Sequence, residues 1–151
     1  NGKYLEEENY EDFEFNAYFE YYIPKNYISD DISRLIIYRK LTNAKSSVEI
    51  KNIVYEIYDR YGNYPQEVKN LVNLLYVKIK SISLGIIKIN IQKNLIDISF
   101  KKVDEYLSKI LISMVNDSFI KMKGSNTIQF KNIEKDDFFY SINLFYKKLG
   151  L

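Results

Sequence analysis

Residues 46–65 read SSVEIKNIVYEIYDRYGNYP, and the fold is read outward from this stretch. Ser46 followed three residues later by Glu49 is a capping box, which satisfies backbone donors at a helix start. Ile50, Ile53, Val54, Ile57 and Tyr61 then recur at helical spacing and form one apolar stripe. Gly62 is the expected C′ residue, where a left-handed conformation ends the helix. Pro65 opens the next helix at its first position, with Glu67 in the first turn where the dipole favours an acid. Val68, Leu71, Val72, Leu75, Ile79 and Ile82 supply its buried face, and Gly85 stops it. Upstream, Ser29 is placed to cap a helix over residues 30–43 that has Asp30 and Asp31 in its first turn.

Around these three helices the hydrophobic period changes to two. Residues 13–21 alternate, with Phe13, Phe15, Ala17, Phe19 and Tyr21 on one side, and predict a half-buried strand that Pro24 terminates. Ile87, Ile89 and Ile91 answer Ile96, Ile98 and Phe100 across Gln92-Lys93-Asn94, the pattern of a hairpin. A helix follows over 103–115 on Leu107, Ile110, Leu111 and Met114. Phe119–Lys123 and Thr127–Lys131 flank Gly124-Ser125-Asn126 as a second hairpin, and a last helix is expected over 134–148. Partly segregated strands and helices make the class α+β. The order is an N-terminal strand, a three-helix segment, then two β-hairpins with two further helices. No linker or repeat divides residues 1–151, so a single domain is expected.

The composition closes off most chemistry. Among 151 residues there is no Cys and no His, which excludes disulfides, thiol nucleophiles, imidazole catalysis and ordinary zinc, copper or haem sites. The five glycines are too scattered to cradle a phosphate. The acid pairs Asp30/Asp31 and Asp136/Asp137 both stand where helices begin, and capping accounts for them. Net charge is +2, but residues 1–31 carry nine acids against Lys3 and Lys25, which leaves +9 on residues 32–151. No apolar run approaches the length of a membrane span, and residues 1–15 lack a signal-peptide layout, so the expected location is cytoplasmic. Lys outnumbers Arg 19 to 3, and Arg34, Arg39 and Arg60 fall close together. Fifteen tyrosines are present, and Tyr106, Tyr140 and Tyr146 have lysines nearby in sequence. They fit core edges, or a stacking platform for single-stranded nucleic acid. On the helix after Ser46, Asn52, Glu56 and Asp59 point about 180–240° away from Ile50. Such a stripe is either a solvated face or a site for a partner's arginines.

Several of these residues form a longer pattern. Tyr22-Ile23-Pro24, Tyr27-Ile28, Arg34-Leu35 and Tyr38-Arg39-Lys40-Leu41 are followed by Glu56-Ile57-Tyr58-Asp59-Arg60-Tyr61-Gly62 and Pro65, with Leu84-Gly85-Ile86 beyond. This resembles the C-terminal domain of bacterial transcription-repair coupling factors (Mfd), most strongly over residues 22–86. Ile57 stands for the usual Leu and Tyr61 for the usual Phe; residues 1–20 do not match firmly, and no functional role is carried over to them. The resemblance implies a non-catalytic regulatory domain of a larger ATP-dependent DNA translocase, whose motor, with ATP and Mg, lies elsewhere. It implies autoinhibition: the domain packs on an intramolecular UvrB-like N-terminal module and masks the surface that UvrA uses. RNA polymerase and DNA are then partners through the parent protein, with no membrane and a monomeric isolated domain. In that reading Glu56 and Asp59, with Asn52 beside them, are the partner-binding residues. Pro24, Tyr27, Arg34, Arg60, Gly62 and Pro65 are structural, the two arginines bracing the turn around Gly62. The alternative is an accessory domain that contacts nucleic acid through its basic remainder and exposed tyrosines.

Overall fold

The computed structural model describes residues 13–115, 120–131 and 138–150. The fold is α+β, with elements β1 (Glu14–Ala17), α1 (Asp31–Asn43), α2 (Ser47–Tyr61), α3 (Gln66–Ser83), β2 (Ile86–Ile91), β3 (Leu95–Phe100), α4 (Glu105–Val115), β4 (Ile120–Met122), β5 (Thr127–Lys131) and α5 (Phe138–Lys148). The described residues fall into two compact units. Residues 19–80 form a helical unit, and residues 13–18 with those from 81 onward form a sheet unit.

In the helical unit the cap of α1 is Asp30, one residue after the expected Ser29. Its Oδ2 accepts from both the Ser33 N–H (2.8 Å) and the Ser33 hydroxyl (2.6 Å). A carboxylate at this position also meets the positive end of the dipole, which serine cannot exploit. Those hydrogen bonds, the side-chain one first, hold the Asp30 carboxyl below its usual range. Ser46 caps α2, its Oγ accepting from the Glu49 N–H at 3.2 Å. Glu49 reaches back one residue further than a capping box requires, to the Lys45 N–H at 2.8 Å. Pro65 stands just ahead of α3, its carbonyl accepting from the Val68 and Lys69 N–H groups at 3.1 Å. Ile23, Ile28, Ile37, Leu41, Ile50, Ile57, Val68, Leu71, Val72 and Leu75 make one apolar core, with Ile53, Val54, Tyr61 and Ile79 half-buried against it. Each such burial stabilises by about 1.5–3 kcal/mol. Leu74 and Val77, off the expected stripe of α3, are buried as well.

The sheet runs β1-β2-β3-β5-β4, with β1 parallel to β2 and the other pairs antiparallel. The register puts Phe15, Ile89, Ile98 and Ile128 in one row and Ala17, Ile91, Ile96, Phe130 and Ile120 in another, so one face is apolar. The opposite face carries Glu14, Lys88, Asn90, Asp97, Ser99, Thr127, Gln129 and Lys121. On α5, Phe145 stacks on Phe130 with ring centroids 5.0 Å apart. Two expectations need correction. The strand over 13–21 is only Glu14–Ala17, because its partner β2 ends at Ile91 and Tyr18 makes the last bond, to the Ile91 carbonyl at 3.1 Å. Ile87 is not an inward residue: Ile86 pairs with Phe100 and Lys88 with Ser99, so Ile87 is the extra residue of a bulge and Ile86 takes the core position. Asp136, Asp137, Phe119 and the expected first turn of the last helix lie outside the described residues.

Candidate protein-docking surface

Because Ile50 and Ile57 are buried, the opposite side of α2 faces solvent and presents Asn52, Tyr55 and Asp59. Glu56 is set to one side of this face. Its carboxylate receives Lys40 of α1, whose Nζ stands 3.2 Å from both Oε1 and Oε2, and Arg60 approaches Oε1 at 3.9 Å. Asp59, one turn along, makes no ion pair among the described residues. Two carboxylates thus lie three residues apart on one helix. One is lightly held and the other free, and both can accept from cations on one apposed surface. The sequence motif contains Lys40 but does not pair it with Glu56. Lys40 is 16 residues from Glu56, and no local spacing signals a pair made by packing two helices together.

The remaining motif residues build the frame that presents this helix. Pro24 makes a turn, its carbonyl accepting from the Tyr27 and Ile28 N–H groups at 3.0 and 3.1 Å. The Tyr27 hydroxyl donates to the Gly62 carbonyl at 2.7 Å, which ties this turn to the end of α2. Burial, then the neighbouring Tyr64 and Tyr61, raise the Tyr27 phenol above its ordinary pKa. Arg34 donates to the Ile28 carbonyl at 2.9 Å and pairs with Asp31 at 2.5 Å, which fixes the entry to α1. Arg60 stays on its own helix, beside Glu56 and over the Tyr61 ring at 5.3 Å, and the bond across to Gly62 comes from Tyr27 instead. Gly62 has φ +80° and ψ −159°. This is the extended positive-φ region rather than the left-handed helical one, and essentially only glycine adopts it. Pro24 and Pro65 line an open groove with Tyr22, Lys25, Asn26 and Glu67.

Of the three tyrosines that fit a stacking platform, Tyr106 and Tyr140 are exposed. Tyr146 is fully buried with its hydroxyl paired to Ser81, and burial pushes its phenol pKa far up, so it offers no face to a base. No described helix is long and apolar enough to cross a membrane.

The motif region coincides with a family match. A family model described as the TRCF domain covers residues 18–111. The chain belongs to that family. A transcription-repair-coupling factor of Borreliella burgdorferi is 29% identical over 99% of this chain, and one of Buchnera aphidicola is 30% identical over 77% of it. The chain spans only 13% and 14% of the lengths of these two relatives. A solved structure, the crystal structure of a C-terminal domain of transcription-repair coupling factor, superposes with a TM-score of 0.74 at 25% identity, covering 90% of each chain. The family is one of transcription-linked DNA repair. The TRCF match takes in the whole of α1, α2 and α3, and therefore Asn52, Glu56, Asp59 and the frame around Gly62.

Proposed function

We propose that this TRCF domain is a non-catalytic regulatory clasp, the C-terminal regulatory domain of a transcription-coupled repair translocase. It docks on the UvrB-like N-terminal module of the same parent protein and masks the surface that UvrA uses. The observation that carries the reading is the pair Glu56 and Asp59, one helical turn apart on α2, with Asp59 exposed and in no ion pair among the described residues, and Glu56 beside it paired there with the exposed Lys40 and Arg60. A face like this suits a partner that supplies arginines. In this proposal ATP and Mg serve a motor elsewhere in the parent, DNA and RNA polymerase are met through the parent, and the site of action is the cytoplasm.

The test is UvrA capture by the parent protein without added polymerase. Changing Glu56 and Asp59 together to Ala should raise capture strongly, since breaking desolvated charge pairs costs roughly 2–5 kcal/mol of docking. The melting temperature of the isolated chain should hardly move, because both acids are at its surface. Unchanged capture would remove the clasp. Binding of single-stranded DNA that falls steeply with salt and ignores these acids would favour the nucleic-acid reading, for which Tyr106 and Tyr140 are the exposed candidates.

A further inference from the structure

The polar face of the sheet is ordered in rows. Asn16, Asn90, Asp97, Gln129 and Lys121 follow one another across all five strands. The next row holds Glu14, Lys88, Ser99 and Thr127, and Lys123 completes it, its N–H donating to the Thr127 carbonyl at 2.7 Å. Asn16, Lys121 and Lys123 are exposed, and the Lys88 side chain is 43% exposed. Neither row contains an aromatic or large apolar side chain, so the face lacks the anchors that give protein interfaces most of their affinity. Amides, hydroxyls and ammonium groups are instead what meets phosphate and sugar oxygens. Both acids are already answered, Asp97 by Lys123 at 3.1 Å and by Gln129 at 2.8 Å, Glu14 by Lys88 at 3.8 Å. Lys121 makes no ion pair among the described residues, and Lys131, one row beyond Gln129 on the same side, adds a fourth lysine.

We propose that this face is a surface for the phosphate backbone of duplex DNA, contacted without regard to sequence. Strands lie about 4.8 Å apart, so Lys88 on β2 and Lys123 beyond the end of β4, three strands away in one row, stand about 14 Å apart across the sheet. That is close to the roughly 12 Å width of the DNA major groove. Lysines at the two ends can reach its two phosphate walls, with the Ser99 and Thr127 hydroxyls between them. The major groove of an RNA duplex is too deep and narrow for such an approach. A single strand calls for aromatic side chains on which to stack its bases, and these two rows have none. All three arginines belong to the helical unit, so the face also lacks the bidentate group that most often reads guanine, which leaves backbone contact. The surface shares no residue with the Glu56 and Asp59 pair and stands whether or not the clasp does.

The experiment is fluorescence-anisotropy titration of labelled DNA duplexes of two unrelated sequences with the 151-residue chain, over a series of low salt concentrations. Both duplexes should bind alike, and log affinity should fall against log salt with a slope of about −3, as expected for three lysine–phosphate contacts. Lys88→Gln with Lys121→Gln, neither of which holds a buried acid, should weaken binding by about tenfold or more and reduce the slope by about two. Lys51→Gln with Lys69→Gln removes the same charge from exposed positions of the helical unit and should change little. Asn16→Glu sets an acid among the lysines at the exposed edge strand, and repeats the test should the double variant not fold. No binding by the wild-type chain at low salt, or equal losses from the two lysine pairs, overturns the inference. So does a preference for single strands that Tyr106→Ala with Tyr140→Ala abolishes, which moves the contact to the helices. Binding of polyglutamate as tightly as DNA, with the same dependence on Lys88 and Lys121, gives the face to an acidic protein and equally overturns it.

Discussion

Glu56 in the helical unit and Asp97 in the sheet unit are both carboxylates held by lysine, and they are held in opposite ways. The Asp97 side chain is 11% exposed; one oxygen accepts from Lys123 at 3.1 Å and the other from the buried Gln129 amide at 2.8 Å. The Glu56 side chain is 37% exposed, and its oxygens share a single lysine that is itself half in water. Both Asp97 oxygens are committed, and the buried Gln129 amide has no ready substitute in solvent, although Lys123 itself is half exposed. Glu56 can exchange Lys40 for water or for another cation at little cost, because an exposed pair contributes only about 0–1 kcal/mol. Similar chemistry thus supports the polar face of a sheet in one unit and leaves a surface open to a partner in the other.

The change that tests this contrast most severely is Asp97→Ala. It leaves the Gln129 amide buried without its acceptor and Lys123 without its acid. A loss of about 1.5–3 kcal/mol is expected, the range for a hydrogen bond to a charged group, and short of the larger cost of breaking a fully buried ion pair because Lys123 reaches solvent. Urea unfolding reads it directly. A loss no greater than that of Glu56→Ala would erase the distinction between the two acids.

A backbone change sharpens the comparison without touching either carboxylate. Gly62→Val should cost about 2 kcal/mol, since φ +80° with ψ −159° is a strained region for any side chain. A Cβ there would meet nothing within 4 Å, so the cost is conformational and not a clash. Gly62→Asn should rescue little of it, because asparagine tolerates the left-handed helical region and not this one. Substantial rescue by Asn would mean the turn relaxes to the left-handed form.

The two units also differ in their tyrosines. Burial raises Tyr146 in the sheet unit further than Tyr27 in the helical unit. A raised phenol keeps its proton in the folded chain after the unfolded chain has lost it. The stability this gives is complete below about pH 10, the ordinary tyrosine value, and falls as pH rises beyond it. Tyr146→Phe should therefore flatten the alkaline decline of the unfolding midpoint more than Tyr27→Phe does.

What could be read from sequence follows how local each determinant is. Everything that delimits α2 lies within it or beside it, from Ser46 and Glu49 to Gly62, and the helix is found there. Ser29 and Asp30 are both competent caps one residue apart, and only the charge on Asp30 decides between them. Ile86, Ile87 and Ile89 are all apolar, so alternation cannot show which of them bulges out. The pairing of Phe15 with Ile89, the triangle of Asp97, Lys123 and Gln129, and the grip of Lys40 on Glu56 join residues far apart in the chain. The outward side of Asn52 and Asp59 is legible from helical angle alone, whereas Glu56 is half-buried and turned toward α1. That Glu56 is shared with α1 emerges only when the two helices are packed together.

The smallest expected effect falls on Lys40 itself. Lys40→Met keeps the methylene stem along α1 and removes the ammonium that spans both Glu56 oxygens. Arg60 still stands 3.9 Å from that carboxylate, and solvent reaches it, so no charge is stranded. The unfolding free energy of the chain should change by less than about 0.5 kcal/mol. Docking should respond in the other direction from the acid variants. A partner's arginine no longer has to displace an internal lysine, so binding to the N-terminal module should tighten by up to about fivefold, the equivalent of one exposed pair. Added salt weakens the internal pair as well as the new one, so the gain over wild type should shrink as ionic strength rises. Weaker docking by Lys40→Met would give Lys40 a different role: it would be positioning Glu56 for the partner, and the lysine-held acid would be part of the docked surface instead of a competitor to it.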